Sequence, residues 1–356
     1  MTSKEDLGEA QRRMRAWWNG EVLDRVALAV YARRRTPREE PFDAPDPCTV
    51  EGRWLDPDHR IARWEREFVY TDFLGEAIPC FSSQIGPGSL GIFLGARPVF
   101  HPTTVWYEPA IEDLCSAEAL RFDPQNRWYQ AHLRLIEAGL ERGKGRYYTA
   151  MPDLIEGLDT LAALHGNARL LTDLLDHQHE VHRFLEQITA LYFDAYDPIY
   201  DLVKGPEGGC CFAGFQTWAP GRYAKVQCDF CAMISPEMFA EFVQPYLAKQ
   251  CERLDYAMYH LDGPDCIRHL DLLLEIPGIQ VIQWTPGAGQ EPTCSPRWYD
   301  MYRKILSKGR SVIIMGVPPG QVEGVVRALG PRGVYITTWV NSRDEGERLL
   351  KAARTW

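Results

Sequence analysis

Between Tyr256 and Gly289 two apolar runs each stop at groups able to do chemistry. Tyr256–Leu261 delivers His260 and then Asp262, and Ile279–Trp284 delivers Gln283 and Trp284. Imidazole can hold a metal, take a proton or hydrogen-bond a substrate, so His260 is a candidate for all three roles. Asp262, between the strand and Gly263, is the carboxylate beside it. Asp229 ends another apolar run, and Asp153 and Glu156 follow a third in Met-Pro-Asp-Leu-Ile-Glu-Gly. Two carboxylates held in different surroundings can act as acid and base. About 5–9 Å apart, such a pair can cleave a glycosidic bond. Trp218, Tyr259, Gln283, Trp284, Trp339 and Asn341 are the candidate substrate contacts, because an indole at a strand mouth offers a flat wall to a ring. Structural roles compete for some of these types. Asp265 reads as a helix cap, and His269 as a core histidine. His177, His179 and His182 lack the HExxH pattern and read as solvated surface.

These groups can act together only if one architecture gathers the strand ends. From Tyr147 onward the chain alternates short apolar runs with helical stretches, the pattern of parallel βαβ units. The runs at Tyr147, Cys210–Gln216, Ala224–Asp229, Tyr256–Leu261, Ile279–Trp284, Ser311–Met315 and Val334–Trp339, with Arg25–Tyr31, give about eight strands. A (β/α)8 TIM barrel is the expected fold, with its site at the carboxyl ends of the strands. The chain reads as a single domain over 1–356, with a helical and irregular elaboration at about 32–125. A doubly wound sheet is the rival, but the Gly-rich fingerprint of dinucleotide binding is absent. Ser235-Pro236-Glu237 marks a helix start by cap, proline and acid together.

Composition excludes several partners. Apolar residues make up 45% of the 356 and charged residues 25%, which are globular values. A net charge of -10 argues against nucleic acid, whose phosphates call for a basic surface. No apolar run is long enough to cross a membrane. The amino terminus lacks a signal-peptide core, so a cytoplasmic location is expected. Among ten cysteines the single CxxC, Cys228–Cys231, has no second pair at zinc-site spacing, and most thiols read as small buried groups.

Asp229 with Ser235-Pro-Glu-Met-Phe, Pro245, and His260 with Gly263 resemble the uroporphyrinogen decarboxylase superfamily, as does the Trp17, Trp18, Asp24, Arg25 region more loosely. That superfamily includes corrinoid-dependent methyltransferases. The resemblance covers about 125–356 and implies the barrel, a small-molecule substrate, a corrinoid-carrying partner protein and a homodimer. It also implies that His260 is a metal ligand. The methyltransferases pair that His with Cys and add a distant Cys. Here Asp262 stands at the first of those positions and Ile336–Asn341 contains no Cys. One His and one Asp suit a harder divalent metal than a thiolate site does. Three readings follow: a methyltransferase-like enzyme, a carbohydrate-active hydrolase or lyase using carboxylates and tryptophan walls, and a non-catalytic small-molecule binder.

Overall fold

A computed structural model describes residues 4–356. Its strands are β1 (Ala27–Arg33), β2 (Thr71–Gly75), β3 (Cys80–Phe81), β4 (Arg97–Phe100), β5 (Val105–Glu108), β6 (Tyr148–Thr149), β7 (Cys210–Phe212), β8 (Thr217–Ala219), β9 (Tyr223–Gln227), β10 (Tyr256–Asp262), β11 (Ile279–Thr285), β12 (Ser311–Ile314) and β13 (Val334–Val340). Seven of them form one sheet in the order β2-β1-β13-β12-β11-β10-β9. Every neighbour is parallel except β1 with β2. The parallel strands are buried on both faces, which is why they read as near-continuous apolar runs such as Val312–Ile314.

The expected eight-stranded closed barrel is met only in part, because the hydrogen-bonded ladder runs from β2 to β9 and does not close. The shortfall lies at β3, β6 and β7, which are two or three residues long. Pro79 and Pro152 flank two of them and cannot donate to a ladder. Single bonds carry the connection instead. Ala150 N–H donates to Phe81 O at 2.9 Å, and Met151 N–H donates to Cys211 O at 2.8 Å. The run Cys210–Gln216 was expected as one strand. It turns over at Gln216, whose φ is 56°, and returns as the antiparallel β8.

The segment 32–125 is more than an appended layer. It supplies β2 to the main sheet and β3 as the partner of β6. Its hairpin, β4 with β5, stands at the rim of the carboxyl-terminal face beside the helix Gly157–His165.

One end of the sheet is sealed. The helix Leu7–Trp18 lays two indoles under the amino ends of the strands. Trp18 stacks edgewise on Tyr223 and Tyr256, at 5.3 and 5.1 Å, and donates to Trp218 O at 2.9 Å. Trp17 donates to Gly333 O at 3.2 Å. The carboxyl ends of β9, β10 and β11 are left for chemistry. No described helix is long and apolar enough to cross a membrane. All ten cysteines are free, and all but Cys48 and Cys115 are buried.

Candidate functional site

Strand alternation decides which side chains of β10 and β11 face each other. In register, His260 lies between Gln227 of β9 and Gln283 of β11, and Asp262 lies opposite Thr285. His260 Nδ1 is hydrogen-bonded to Gln283 Oε1. The Gln283 amide nitrogen donates to Trp284 O at 2.8 Å and Thr285 Oγ1 at 3.0 Å, so its oxygen is the end turned to the ring. His260 therefore carries its proton on Nδ1, and Nε2 presents a lone pair. Nε2 is 3.7 Å from Asp262 Oδ2. Phe215 covers the ring, with centroids 4.8 Å apart.

Asp229 completes a trio. One ligand atom from each of Asp229, His260 and Asp262 lies within 4.8 Å of the other two. Asp229 opens the turn Asp229–Met233 that follows β9. That turn is pinned by Asp159, which accepts the N–H of Asp229 and of Phe230, both at 2.8 Å. Gln227 bridges the two acids, donating to Asp159 at 3.0 Å and to Asp229 at 2.9 Å. Partial desolvation at the cleft floor, and then the neighbouring Asp159 carboxylate, push the Asp229 pKa up, although its side chain is open to the cleft. Two carboxylates and an imidazole nitrogen brought this close are a set that a divalent cation would satisfy. The arrangement therefore fits a metal, with His260 as the nitrogen donor expected from sequence and Asp229 and Asp262 as oxygen donors.

A cleft of about 600 Å³ opens at Asp229, its floor formed by Asp159, Gln227 and Asp229 and its walls by the β4–β5 hairpin and Phe230. Ile155 in its lining has φ 50°, a left-handed conformation unusual for a β-branched residue.

The other expected residues fall elsewhere. Asp153 is ion-paired with Lys225 Nζ at 2.6 Å, both side chains being buried, and Lys225 also donates to Gln227. It thus reaches the trio only through that chain of bonds. Glu156 turns away into the helical layer, where Thr189 of the helix Gln178–Val203 donates to it and burial pushes its pKa up to about 7. The tryptophan walls are corrected in position. Trp284 is fully buried against Trp298, because it faces outward where Gln283 faces inward. Trp218 rides β8 back to the sealed end, under Arg15. Trp339 is 42% exposed and stacks on Tyr31, and its strand β13 stands three strands away from β10 in sheet order. Tyr259 points into the core beside Cys228, Cys231 and Cys266, with its hydroxyl unpaired. Asn341 is exposed and its N–H serves Glu345 of the last helix. His269 is structural as expected, bonding Cys231 O at 2.9 Å. His182 is not solvated surface, since it stacks on Phe242 at 4.7 Å.

Asp159, Lys225, Gln227 and Trp106 were missed. Lys225 and Gln227 alternate within the apolar run Tyr223–Gln227, and polar groups at alternate places in a buried strand are a usable signal. Asp159, in the first turn of a helix, carries no such mark. No known family's model matches the chain, and no curated protein matches it.

Proposed function

We propose that the chain is a metal-dependent enzyme resembling the uroporphyrinogen decarboxylase superfamily, built on a (β/α)8 barrel and transferring a methyl group between a small molecule and a corrinoid held by a partner protein. The observation that carries the metal dependence is the convergence of Asp229, His260 and Asp262. The methyl-transfer part rests on the sequence resemblance around Asp229, Ser235–Phe239 and His260. Two of the three indoles on which a carbohydrate-active reading rests are sealed in the core. The barrel is supported by contacts across the sheet. Tyr335 on β13 donates its hydroxyl to Gln216 O at 2.7 Å, and the next residue, Thr217, is hydrogen-bonded to the Tyr223 hydroxyl of β9 at 2.6 Å. In a flat sheet β13 and β9 would stand roughly 19 Å apart, and a sheet curled toward a barrel accounts for their sharing these neighbours.

When bound, a divalent cation supplies Lewis-acid polarisation of a substrate heteroatom. The chain's own residues prepare for it. Gln283 fixes the His260 tautomer, as outer partners of metal-bound histidines do. Gln227 orients Asp229 while Asp159 holds the turn beneath it. Lys225 with Asp153 closes the network from the core side.

Metal analysis after incubation with Mn²⁺, Zn²⁺ or Mg²⁺ and desalting tests the site. One equivalent is expected in the wild type, with at least about a hundredfold weaker binding in His260→Ala and Asp262→Asn. Equal retention in those variants sinks the metal site. The corrinoid part is tested by the visible spectrum of methylcobalamin mixed with the metal-loaded protein. An unperturbed spectrum beside an intact metal site removes methyl transfer and leaves metal dependence standing.

A further inference from the structure

We infer that the cleft beside the Asp229–His260–Asp262 cluster takes a small organic cation, an alkylammonium group, as its ligand. This rests on reading that cleft as the substrate's seat, and not on the metal.

Charge is the first argument. The cleft's lining holds two carboxylates, Asp159 and Asp229, and no lysine, arginine or histidine. Lys225, behind Gln227, is paired with Asp153, and Arg97 on the hairpin is paired with Glu108. An anionic ligand would thus meet like charge at the floor, while the Arg169 guanidinium stands outside the lining behind Gly166 and donates to His165 O at 2.7 Å. The same holds with a divalent ion in place. Asp229 and Asp262 would balance the ion's two charges, and the Asp159 charge would remain.

The walls supply the second argument. Trp106 is 65% exposed and Met233 is 46% exposed, and both line the cleft together with Tyr107 and Phe230. Large apolar side chains standing in water at a rim mark a surface that something covers. Aromatic faces attract a cation through the negative face of the ring, and most strongly when the cation is weakly hydrated and partly enclosed. Indole, phenol and phenyl walls above a carboxylate floor therefore select an ammonium carrying alkyl groups over a neutral molecule of the same shape.

Titration calorimetry with three matched probes tests this. Choline is the cation, 3,3-dimethylbutan-1-ol its neutral isostere, and 3,3-dimethylbutanoate the anion. Choline is expected to bind about tenfold tighter than the alcohol, and the anion not to bind. Trp106→Ala removes an exposed side chain, and it is expected to weaken choline about tenfold while leaving the bound metal unchanged. Asp262→Asn, whose side chain does not line the cleft, is expected to lose the metal and keep choline. The two readings therefore fail separately. No choline binding, equal affinity for the alcohol, tighter binding of the anion, or choline affinity untouched by Trp106→Ala would each overturn the inference.

Discussion

Asp229 and Glu156 share a raised pKa for different reasons, and only one of them belongs to the cluster. Asp229 is pushed up by partial desolvation and by Asp159 at the cleft floor, whereas Glu156 is enclosed by the helical layer and relieved mainly by Thr189. For Glu156 the folded-state pKa of about 7 lies above the ordinary 4.5. Its contribution to stability is thus fully present below pH 4.5 and is lost as pH rises through 7. Glu156→Gln keeps an acceptor for the Thr189 hydroxyl and cannot ionise. It should match the wild type near pH 4 and exceed it at pH 8 by on the order of 3 kcal/mol. Urea unfolding at the two pH values measures this. A variant no more stable at pH 8 than at pH 4, relative to the wild type, would show that Glu156 is not buried as described.

At the scale of elements, the close approach of the helix Arg127–Gly143 to β3 and β6 depends on one position. A Cβ at Gly139 would meet the Phe81 ring at 2.6 Å and Thr149 Oγ1 at 2.9 Å. Gly8, in the helix Leu7–Trp18, would place a Cβ in open space. Alanine raises helix propensity at both sites by up to about 1 kcal/mol, but overpacking costs about 1–3 kcal/mol. Gly139→Ala should therefore destabilise by about 1–2 kcal/mol, and Gly8→Ala should stabilise by about 0.5–1 kcal/mol. Chemical denaturation of the two variants reads both signs, and a Gly139→Ala protein as stable as the wild type would refute the packing argument. The short strands β3 and β6 matter because β6 leads directly into Asp153 and the strained turn at Ile155. Their position sets one wall of the cleft.

For the molecule as a whole, the stretch after β2 is tied to the start of β1 by a buried ion pair. Arg25 binds both Glu76 oxygens, at 2.6 and 2.9 Å, and Glu76 also accepts the Leu28 N–H at 2.7 Å. The two side chains are 4% and 0% exposed. Removing Arg25 leaves the buried Glu76 with only the Arg13 guanidinium at 3.8 Å, and breaking a buried pair in this way costs about 3–5 kcal/mol. Arg25→Met should lower unfolding free energy by that amount. A loss under about 1 kcal/mol would mean that water or Arg13 takes over from Arg25 at Glu76. This tie lies near the sealed amino-terminal end, so metal retention by the folded variant should be unchanged.

Alternation and composition along the chain determined much of this protein. The parallel βαβ rhythm, the helix start at Ser235, the placement of His260 and Gln283 near the ends of two successive strands, and the buried character of most thiols were all legible, because burial imposes a period on local sequence. His260, Asp262 and Asp229 were also legible as strand-end groups. Their convergence within 4.8 Å was decided by register, which no local pattern carries. The tryptophans show the difference most clearly. Trp284 and Trp218 end apolar runs just as His260 does, but a one-residue change of face sends Trp284 into the core, and the turn at Gln216 carries Trp218 to the opposite end. Trp106, in the middle of a short hairpin strand without a strand-end signature, became a cleft wall only because the chain folds that hairpin over the helix Gly157–His165. Side-chain direction and the meeting of distant segments are properties of the packed whole, where burial of one surface fixes what another can reach.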